Sequence, residues 1–238
     1  MSIKLVAFDL DGTLTQHKSP LSEEHRKVLF ALKEKYQLLM VGAGQCCRIF
    51  DQMGHFPIDV IGNYGMQYAR CDEKSGDLVP VYDEKVPVDK EACEKRITFL
   101  RKEHGFTKYA GDSVEYHVSG CVTFPILGTK AVIEDKLAFD PDRSKRRAFY
   151  PEVIDLFPEY NVFVGGSSSF DMAPRPYNKY YALDKYCAEK GVTHAETVFV
   201  GDDYGPGGND ESVYQSDFGF IRIDNYLDFP KAVAYLLK

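Results

Sequence analysis

A short, wholly apolar run near the start of the chain, Leu5-Val6-Ala7-Phe8, gives way at once to two carboxylates, Asp9 and Asp11, followed by Gly12 and Thr13. An apolar run that ends so abruptly at a turn-forming glycine reads as a buried strand stopping in a loop. Residues two apart in extended backbone project to the same side, so Asp9 and Asp11 are expected within reach of one another. Like charges that close repel and raise a pKa unless a cation lies between them, which makes the pair a candidate divalent-metal site. Taken alone, D-x-D-G could be no more than a polar turn. The hydrophobic lead-in and the threonine weigh against that.

The next segments repeat the strand-then-loop pattern. Ser22 can cap a helix with Glu23 and Glu24 in its first turn and Val28, Leu29, Leu32 and Tyr36 at helical spacing. Residues 38–41 form a second apolar run, ended by Gly42-Ala43-Gly44, and a helix over 45–53 is expected to follow. Strand, helix and strand at this spacing make a crossover unit, and unbroken apolar strands imply a parallel sheet covered on both faces. The N–H groups of the second helix would face the same end of the sheet as Asp9 and Asp11, where an anion could settle. After a strand at 59–61 comes Gly62-Asn63-Tyr64-Gly65, whose glycines permit a tight loop. Asn63 there could touch a ligand or merely close a turn.

From about Val81 the texture changes. An amphipathic helix with Ala92, Cys93, Ile97 and Leu100 on one side precedes an alternation in which Val114, Tyr116 and Val118 oppose Glu115 and His117. Half-polar alternation fits an antiparallel sheet with one exposed face. Further strands are expected at 120–124, 161–164 and 170–173, with helices at 130–139 and at 144–157, the latter interrupted at Pro151. The crossover pattern resumes with a helix at 179–190 and an apolar strand at 197–200. That strand ends in a second acidic loop, G-D-D-Y-G-P-G-G-N-D, from Gly201 to Asp210. Its glycines would let the backbone approach an ion while Asp202 and Asp210 supply hard oxygen ligands. Two acidic loops at the carboxyl ends of strands are far more specific than either alone, because open α/β sheets bind ligands at that end. A strand at 218–223 and a helix opened by Asp228-Phe229-Pro230 close the chain. The expected division is a core of 1–82 and 177–238 with a small α+β domain, 83–176, inserted in it.

The formal net charge of -7 argues against nucleic acid as a partner while leaving room for a small anion held by local cations. No run of 18 apolar residues and no signal-peptide pattern is present, so a cytoplasmic location and no membrane partner are expected. The six cysteines lack C-x-x-C spacing, which indicates neither a zinc cluster nor a redox pair; only Cys46 and Cys47 stand together as neighbours.

F-D-L-D-G-T-L-T, with Lys179 and the Gly201–Asp210 loop downstream, resembles the haloacid dehalogenase-like superfamily of phosphotransfer enzymes. Within it, G-G-S-S-S-F-D-M-A-P from Gly165 to Pro174, then N-K-Y-Y-A-L, and above all G-P-G-G-N-D resemble the eukaryotic-type phosphomannomutases over nearly the whole chain. The resemblance implies an α/β fold, a Rossmann-like parallel-sheet core with an inserted α+β cap that closes over it. It implies Asp9 as phosphoryl-accepting nucleophile, Asp11 as general acid/base and Lys179 as the cation steadying the transferred group. Asp9 and Asp11, with Asp202 and either Asn209 or Asp210, then match the Mg2+ end of the site. By itself Lys179 would pass for a solvated helix residue. The chemistry asks for the same residue types: a carboxylate splits one displacement into two easier ones, and a divalent cation offsets its repulsion from an anionic substrate. Asp11 would need a pKa well above its ordinary ~3.9 while substrate is bound.

The departures bear on the acceptor. Where phosphomannomutases place cap arginines for the distal phosphate, this chain has His117, Thr129 or Lys130, and Lys136; the arginine near the nucleophile loop corresponds to Lys18. Lysine offers a point charge in place of a bidentate fork, so these are not neutral replacements. Ser169 and Asp171, which match sugar-contacting positions, are kept. The serine or threonine of the superfamily's second motif has no counterpart in residues 41–44, leaving the backbone at Gly42 and Gly44 to hold phosphate. The expectation is a Mg2+-dependent phosphatase acting on a small phosphorylated metabolite, a sugar phosphate, through an aspartyl phosphate. Phosphomannomutase is the alternative, and a non-enzymatic binding module is a weaker third. A homodimer is allowed.

Overall fold

The structure, a computed structural model, describes residues 2–238. The first strand, β1 (Leu5–Phe8), is completely buried and is the middle one of five parallel strands with β2 (Gln37–Val41), β3 (Asp59–Gly62), β10 (Thr197–Gly201) and β11 (Gly219–Arg222). The order β11-β10-β1-β2-β3 is parallel throughout, with Phe8 opposite both Met40 and Val200. Alternate residues of each strand enter different cores. Val6, Phe8, Met40, Val60 and Val200 pack with Leu29, Leu32, Ile49 and Phe50 of helices α1 (Glu23–Lys33) and α2 (Cys46–Gln52). Leu5, Ala7, Leu39, Val41 and Phe199 pack on the other side with Ala182, Leu183 and Tyr186 of α6 (Lys179–Lys190). Each large side chain among them contributes about 1.5–3 kcal/mol by burial. Doing so on both faces is why the strands read as unbroken apolar runs.

Two further strands, β4 (Gln67–Cys71) and β5 (Leu78–Asp83), extend the sheet antiparallel beyond β3. The sequence pattern does not reveal them. They alternate poorly, because Tyr68 and Ala69 are both buried and a register shift falls between them. Their hairpin is closed by Asp72, whose carboxylate accepts from the backbone N–H groups of Lys74 and Ser75. At 62–65 the left-handed backbone falls on Asn63 and Tyr64 as well as Gly65, while Gly62 stays extended.

The chain splits into two compact units: residues up to Glu84 with Tyr177–Gly205 and Asp210–Lys238, and Lys85–Pro176 with Pro206–Asn209. The second holds a four-stranded antiparallel sheet of β6 (Glu115–Tyr116), β7 (Val122–Pro125), β8 (Tyr160–Phe163) and β9 (Ser169–Pro174), in the order β6-β7-β9-β8. Helices α3 (Lys90–Glu103), α4 (Ile133–Phe139) and α5 (Ser144–Leu156) accompany it.

Several local expectations are corrected. The alternation around 114–118 stops early, since β6 has two residues and Val118 is 78% exposed in the turn that follows. Helix α4 begins at Ile133 because Lys130 gives its N–H to Ala110 in a turn. Pro151 does not interrupt α5. Its interior position costs about 3 kcal/mol, offset by Phe149 and Val153, which the continuous helix buries on either side of it. Asp228 stands at the N-cap position of the last α-helix (Phe229–Ala232), with Pro230 in its first turn as expected, but its side chain makes no capping bond; Asn225 instead caps the short turn before it by accepting from Leu227 N–H at 3.1 Å. The six cysteines form no disulfide, and Cys46 is buried while Cys47 is exposed. No helix among the described residues is long and apolar enough to cross a membrane.

One surface cluster carries a pH signature. His194 sets Nε2 2.9 Å from Asp184 Oδ1 and Nδ1 2.7 Å from Asp217 Oδ1, so both ring nitrogens face acceptors and the imidazolium fits best. Burial alone would lower its pKa, but the bonds to Asp217 and Asp184 outweigh it and hold the group above the ordinary 6.5. A raised folded-state pKa stabilises fully below the unfolded value and fades as pH climbs through the folded one. The melting temperature lost on His194→Asn should therefore be larger at pH 5.5 than at pH 9. An equal loss at both would mean the ring is held neutral.

Candidate active site

Asp9 follows β1 directly, and its N–H still donates to Val200 O at 2.9 Å, so the sheet ladder fixes its backbone. Lys179, the first residue of α6, is placed by Asn178, whose side chain caps that helix by accepting from Tyr181 N–H at 2.8 Å. From there the Lys179 ammonium, fully buried, reaches Asp9 Oδ1 at 2.5 Å and Asp210 Oδ1 at 2.6 Å. Asp202, in the loop after β10, accepts from Thr13 Oγ1 at 2.9 Å. Gly12 makes that approach possible: its φ is +97°, and a Cβ there would lie 2.3 Å from the Asp202 carboxylate. Asp210 is tied back to the same loop, accepting from Asp203 N–H at 3.1 Å.

Asp9, Asp202 and Asp210 thus bring one carboxylate oxygen each within 4.8 Å of one another. Among the described residues at this point, one ammonium faces three carboxylates. Burial, then repulsion from Asp9 and Asp210, pushes the Asp202 carboxyl well above the usual range. Asp210 is pushed up by burial, with Lys179 acting in the opposite direction. Burial would lower Lys179, but Asp210 and Asp9 outweigh it and keep the ammonium charged. An anionic, oxygen-only cluster with excess negative charge is suited to a hard divalent cation such as Mg2+.

Asp11 does not join this cluster. The strand ends at Phe8, so strand alternation does not extend to Asp11, and the loop instead turns it toward α2. There it accepts from Gln52 Nε2 at 2.7 Å and from Lys18 N–H at 2.8 Å, with Arg48 Nη2 at 3.4 Å. Burial works against ionisation, but Gln52, the Lys18 N–H and Arg48 outweigh it and hold the carboxyl below its ordinary value. The raised pKa that the chemistry asks of Asp11 is therefore not a property of this arrangement. Lys18, with φ +58°, serves Asp11 through its backbone.

The loop after β2 is braced from β3: Asn63 N–H donates to Gly44 O at 2.8 Å and Tyr64 N–H to Gly42 O at 3.2 Å. Asn63 thus closes a turn through its backbone, beside the two glycines assigned to phosphate. Asn209 falls in the Pro206–Asn209 segment that clusters with the inserted unit.

Within that unit the candidate residues fall into two groups. Asp171 accepts from Thr123 Oγ1 at 2.9 Å, and His117 Nε2 lies 3.1 Å from the same hydroxyl, while burial pushes the Asp171 carboxyl up. Ser169 Oγ donates to Gly165 O at 3.1 Å. Thr129, Lys130 and Lys136 have other neighbours: Thr129 Oγ1 donates to Asp112, Lys130 N–H to Ala110, and Lys136 Nζ reaches Thr129 O at 3.3 Å.

Sequence reasoning counted Thr13 as part of the motif without its partner Asp202, and missed Gln52, Arg48, Thr123 and the buried pair Asp140–Arg146. Arg146, wholly buried, bonds Asp140 at 2.8 Å and donates to the carbonyls of Gly165, Gly166 and Ser169, fixing the turn that carries Ser169. Arg48 and Gln52, one helical turn apart, were legible as neighbours. Their destination was not.

Comparison with known proteins accords with this geometry. The sequence model for eukaryotic phosphomannomutase matches residues 25–223. The phosphomannomutase of Saccharomyces cerevisiae is 27% identical over 218 residues, 88% of this chain and 84% of its own length. Human phosphomannomutase 1 is 25% identical over 221 residues, 88% and 82% respectively. Among solved structures, an IMP-bound mutant of the Plasmodium falciparum IMP-nucleotidase superposes with a TM-score of 0.71 at 15% identity, covering 99% of this chain and 68% of that one. A haloacid dehalogenase-like hydrolase from Bacteroides thetaiotaomicron gives 0.51 at 18%, covering 89% and 84%. The structural likeness carries the fold; the sequence match, spanning both units, places the chain in the eukaryotic phosphomannomutase family of the haloacid dehalogenase-like superfamily.

Proposed function

We propose that this protein is a hexose-phosphate phosphotransferase of the phosphomannomutase type, interconverting mannose 1-phosphate and mannose 6-phosphate through an aspartyl phosphate on Asp9. The observation that carries the reading is the family match across residues 25–223, which includes the acidic loop after β10, Lys179 and the whole inserted unit. Asp9 attacks phosphorus in line with the departing sugar oxygen, and its carboxylate oxygen becomes the new ester oxygen. Asp11, whose carboxyl the substrate-free arrangement holds below its ordinary value, would have to be raised by the bound anionic substrate; it then hands a proton to that departing oxygen and takes one from the hydroxyl that attacks next. Lys179, which bonds Asp9, would offset charge on the phosphoryl group. Mg2+ held by Asp9, Asp202 and Asp210 would screen the nucleophile from its anionic substrate. In this reading Gly42, Gly44, Lys18 and Asn63 border the phosphate; Ser169 and Asp171, in the inserted unit, keep residue types that match the family's sugar-contacting positions.

A second reading, hydrolysis, rests on the inserted unit's own chemistry. His117 faces Thr123 and Lys136 faces a carbonyl, and neither offers a planar fork to a distal phosphate. Each lost charge-assisted contact weakens retention of a bisphosphate by about 1.5–3 kcal/mol, which favours water as acceptor. One assay separates the two: mannose 1-phosphate with a glucose 1,6-bisphosphate activator, following mannose 6-phosphate and free phosphate together. Mannose 6-phosphate should appear faster. Free phosphate outrunning it would replace the mutase with a phosphatase, and neither product from any hexose phosphate would overturn both.

A further inference from the structure

Residues 41–44 carry no hydroxyl for phosphate, yet the structure puts a different group over that loop. The guanidinium of Arg48 lies against Gly44 so closely that a Cβ there would stand 2.3 Å from Nη2 and 2.5 Å from Nε. Nη1 donates to Gln52 Oε1 at 2.8 Å, and Gln52 in turn donates to Asp11 and, at 2.9 Å, to Thr15 Oγ1. The fork is therefore aimed, with one nitrogen anchored and the other, Nη2, only 3.4 Å from Asp11. The Arg48 side chain is 45% exposed.

We propose that Arg48 binds the transferring phosphoryl group, taking the place of the missing hydroxyl at the loop after β2. The inference rests on the phosphotransfer reading of the same site. Three observations converge on it. First, the guanidinium sits at the carboxyl ends of β1 and β2, where open α/β sheets receive ligands, beside the carboxylate that must reach the scissile oxygen. Second, its bond to Asp11 is long and half in solvent, an ion pair of the kind that holds little energy. A phosphoryl group offers two or more oxygens to the same fork and competes well for it. Third, Asp11 keeps Gln52 and the Lys18 N–H when Arg48 turns away, so the exchange leaves no buried charge stranded. Gly44 is not in the left-handed region, so what its missing side chain provides is room for the arginine.

Orthovanadate, which mimics the phosphoryl group in transfer, serves as the probe, titrated calorimetrically into the full-length protein with saturating Mg2+. Arg48→Met should weaken its binding roughly ten- to a hundredfold, the range for one lost charge-assisted contact. Arg48→Lys should fall between the two, since it keeps the charge and loses the fork. The Mg2+ concentration for half-maximal effect should stay where it is, a readout that damage to the acidic cluster would move. Gly44→Ala gives an independent handle, because its methyl displaces the guanidinium. It should weaken orthovanadate binding in the wild-type background and add little to Arg48→Met. Binding by Arg48→Met within twofold of wild type overturns the inference and leaves the phosphotransfer reading standing. So does an equal effect of Gly44→Ala in both backgrounds, which would assign the anion to the loop itself. Failure of the wild-type protein to bind orthovanadate removes both.

Discussion

Asp9→Asn should abolish turnover, lowering it by at least about 10⁴-fold, and no phosphoenzyme should form from any donor. Nothing else in the site can take over. Lys179 is a buried ammonium held on two carboxylates, and Asp11 faces away toward Gln52. The substitution is nearly isosteric, and the amide oxygen can still accept from Lys179, so folding should be preserved and the loss assigned to chemistry. Asp11→Asn provides the contrast. It should still become phosphorylated by a donor with a good leaving group, which needs no protonation, and should then release the phosphoryl group slowly. Mass spectrometry of the intact chain after incubation with p-nitrophenyl phosphate distinguishes the two. Equal labelling of both variants would contradict the roles given to Asp9 and Asp11.

Removing divalent metal should have the next largest effect, with activity falling at least about 10³-fold in chelator and returning with Mg2+. The same cluster makes a stability prediction that needs no substrate. Asp9, Asp202 and Asp210 crowd around one ammonium, and Asp202 carries a carboxyl pushed up by burial and by its two neighbours. A carboxyl raised in the folded state binds its proton more tightly there than in the unfolded chain, so it destabilises the fold as pH rises from the unfolded value toward the folded one. Metal-free protein should therefore melt at a lower temperature at pH 8 than at pH 5.5, and Mg2+ should remove most of the difference. Asp202→Asn should raise the metal-free melting temperature at pH 8 and abolish the response to Mg2+. A variant that melts below wild type without metal would show that Asp202 is satisfied by Thr13 and not strained. The logic is that of a functional site holding charges together at the expense of the fold.

How much of this was readable in advance varies from element to element. The unbroken apolar runs at β1, β2 and β10 announced a parallel sheet because both faces of each strand are buried, and the carboxylates that follow β1 and β10 had to emerge at one edge. Periodicity and turn chemistry are local properties, and they carried that far. Where the pattern was mixed, as at β4 and β5, or where a local rule met a strong core, as at Pro151 in α5, local reading failed. The energy deciding those cases comes from residues distant in the chain.

The sequence by itself determined the parallel strands of the core sheet, the family and the identity of the acidic residues, because each of these is written in contiguous stretches of residues. Only the tertiary structure decided which carboxylates meet. It set Asp9, Asp202 and Asp210 around Lys179 and turned Asp11 away to Gln52 and Arg48. Those pairings span up to some two hundred positions of chain, from Asp9 to Asp210. They depend on where loops leave the sheet and on steric allowances such as the bare Cα of Gly12 against Asp202. Side-chain partnership across a folded edge is a matter of three-dimensional approach and local dielectric, and no spacing along a chain encodes it.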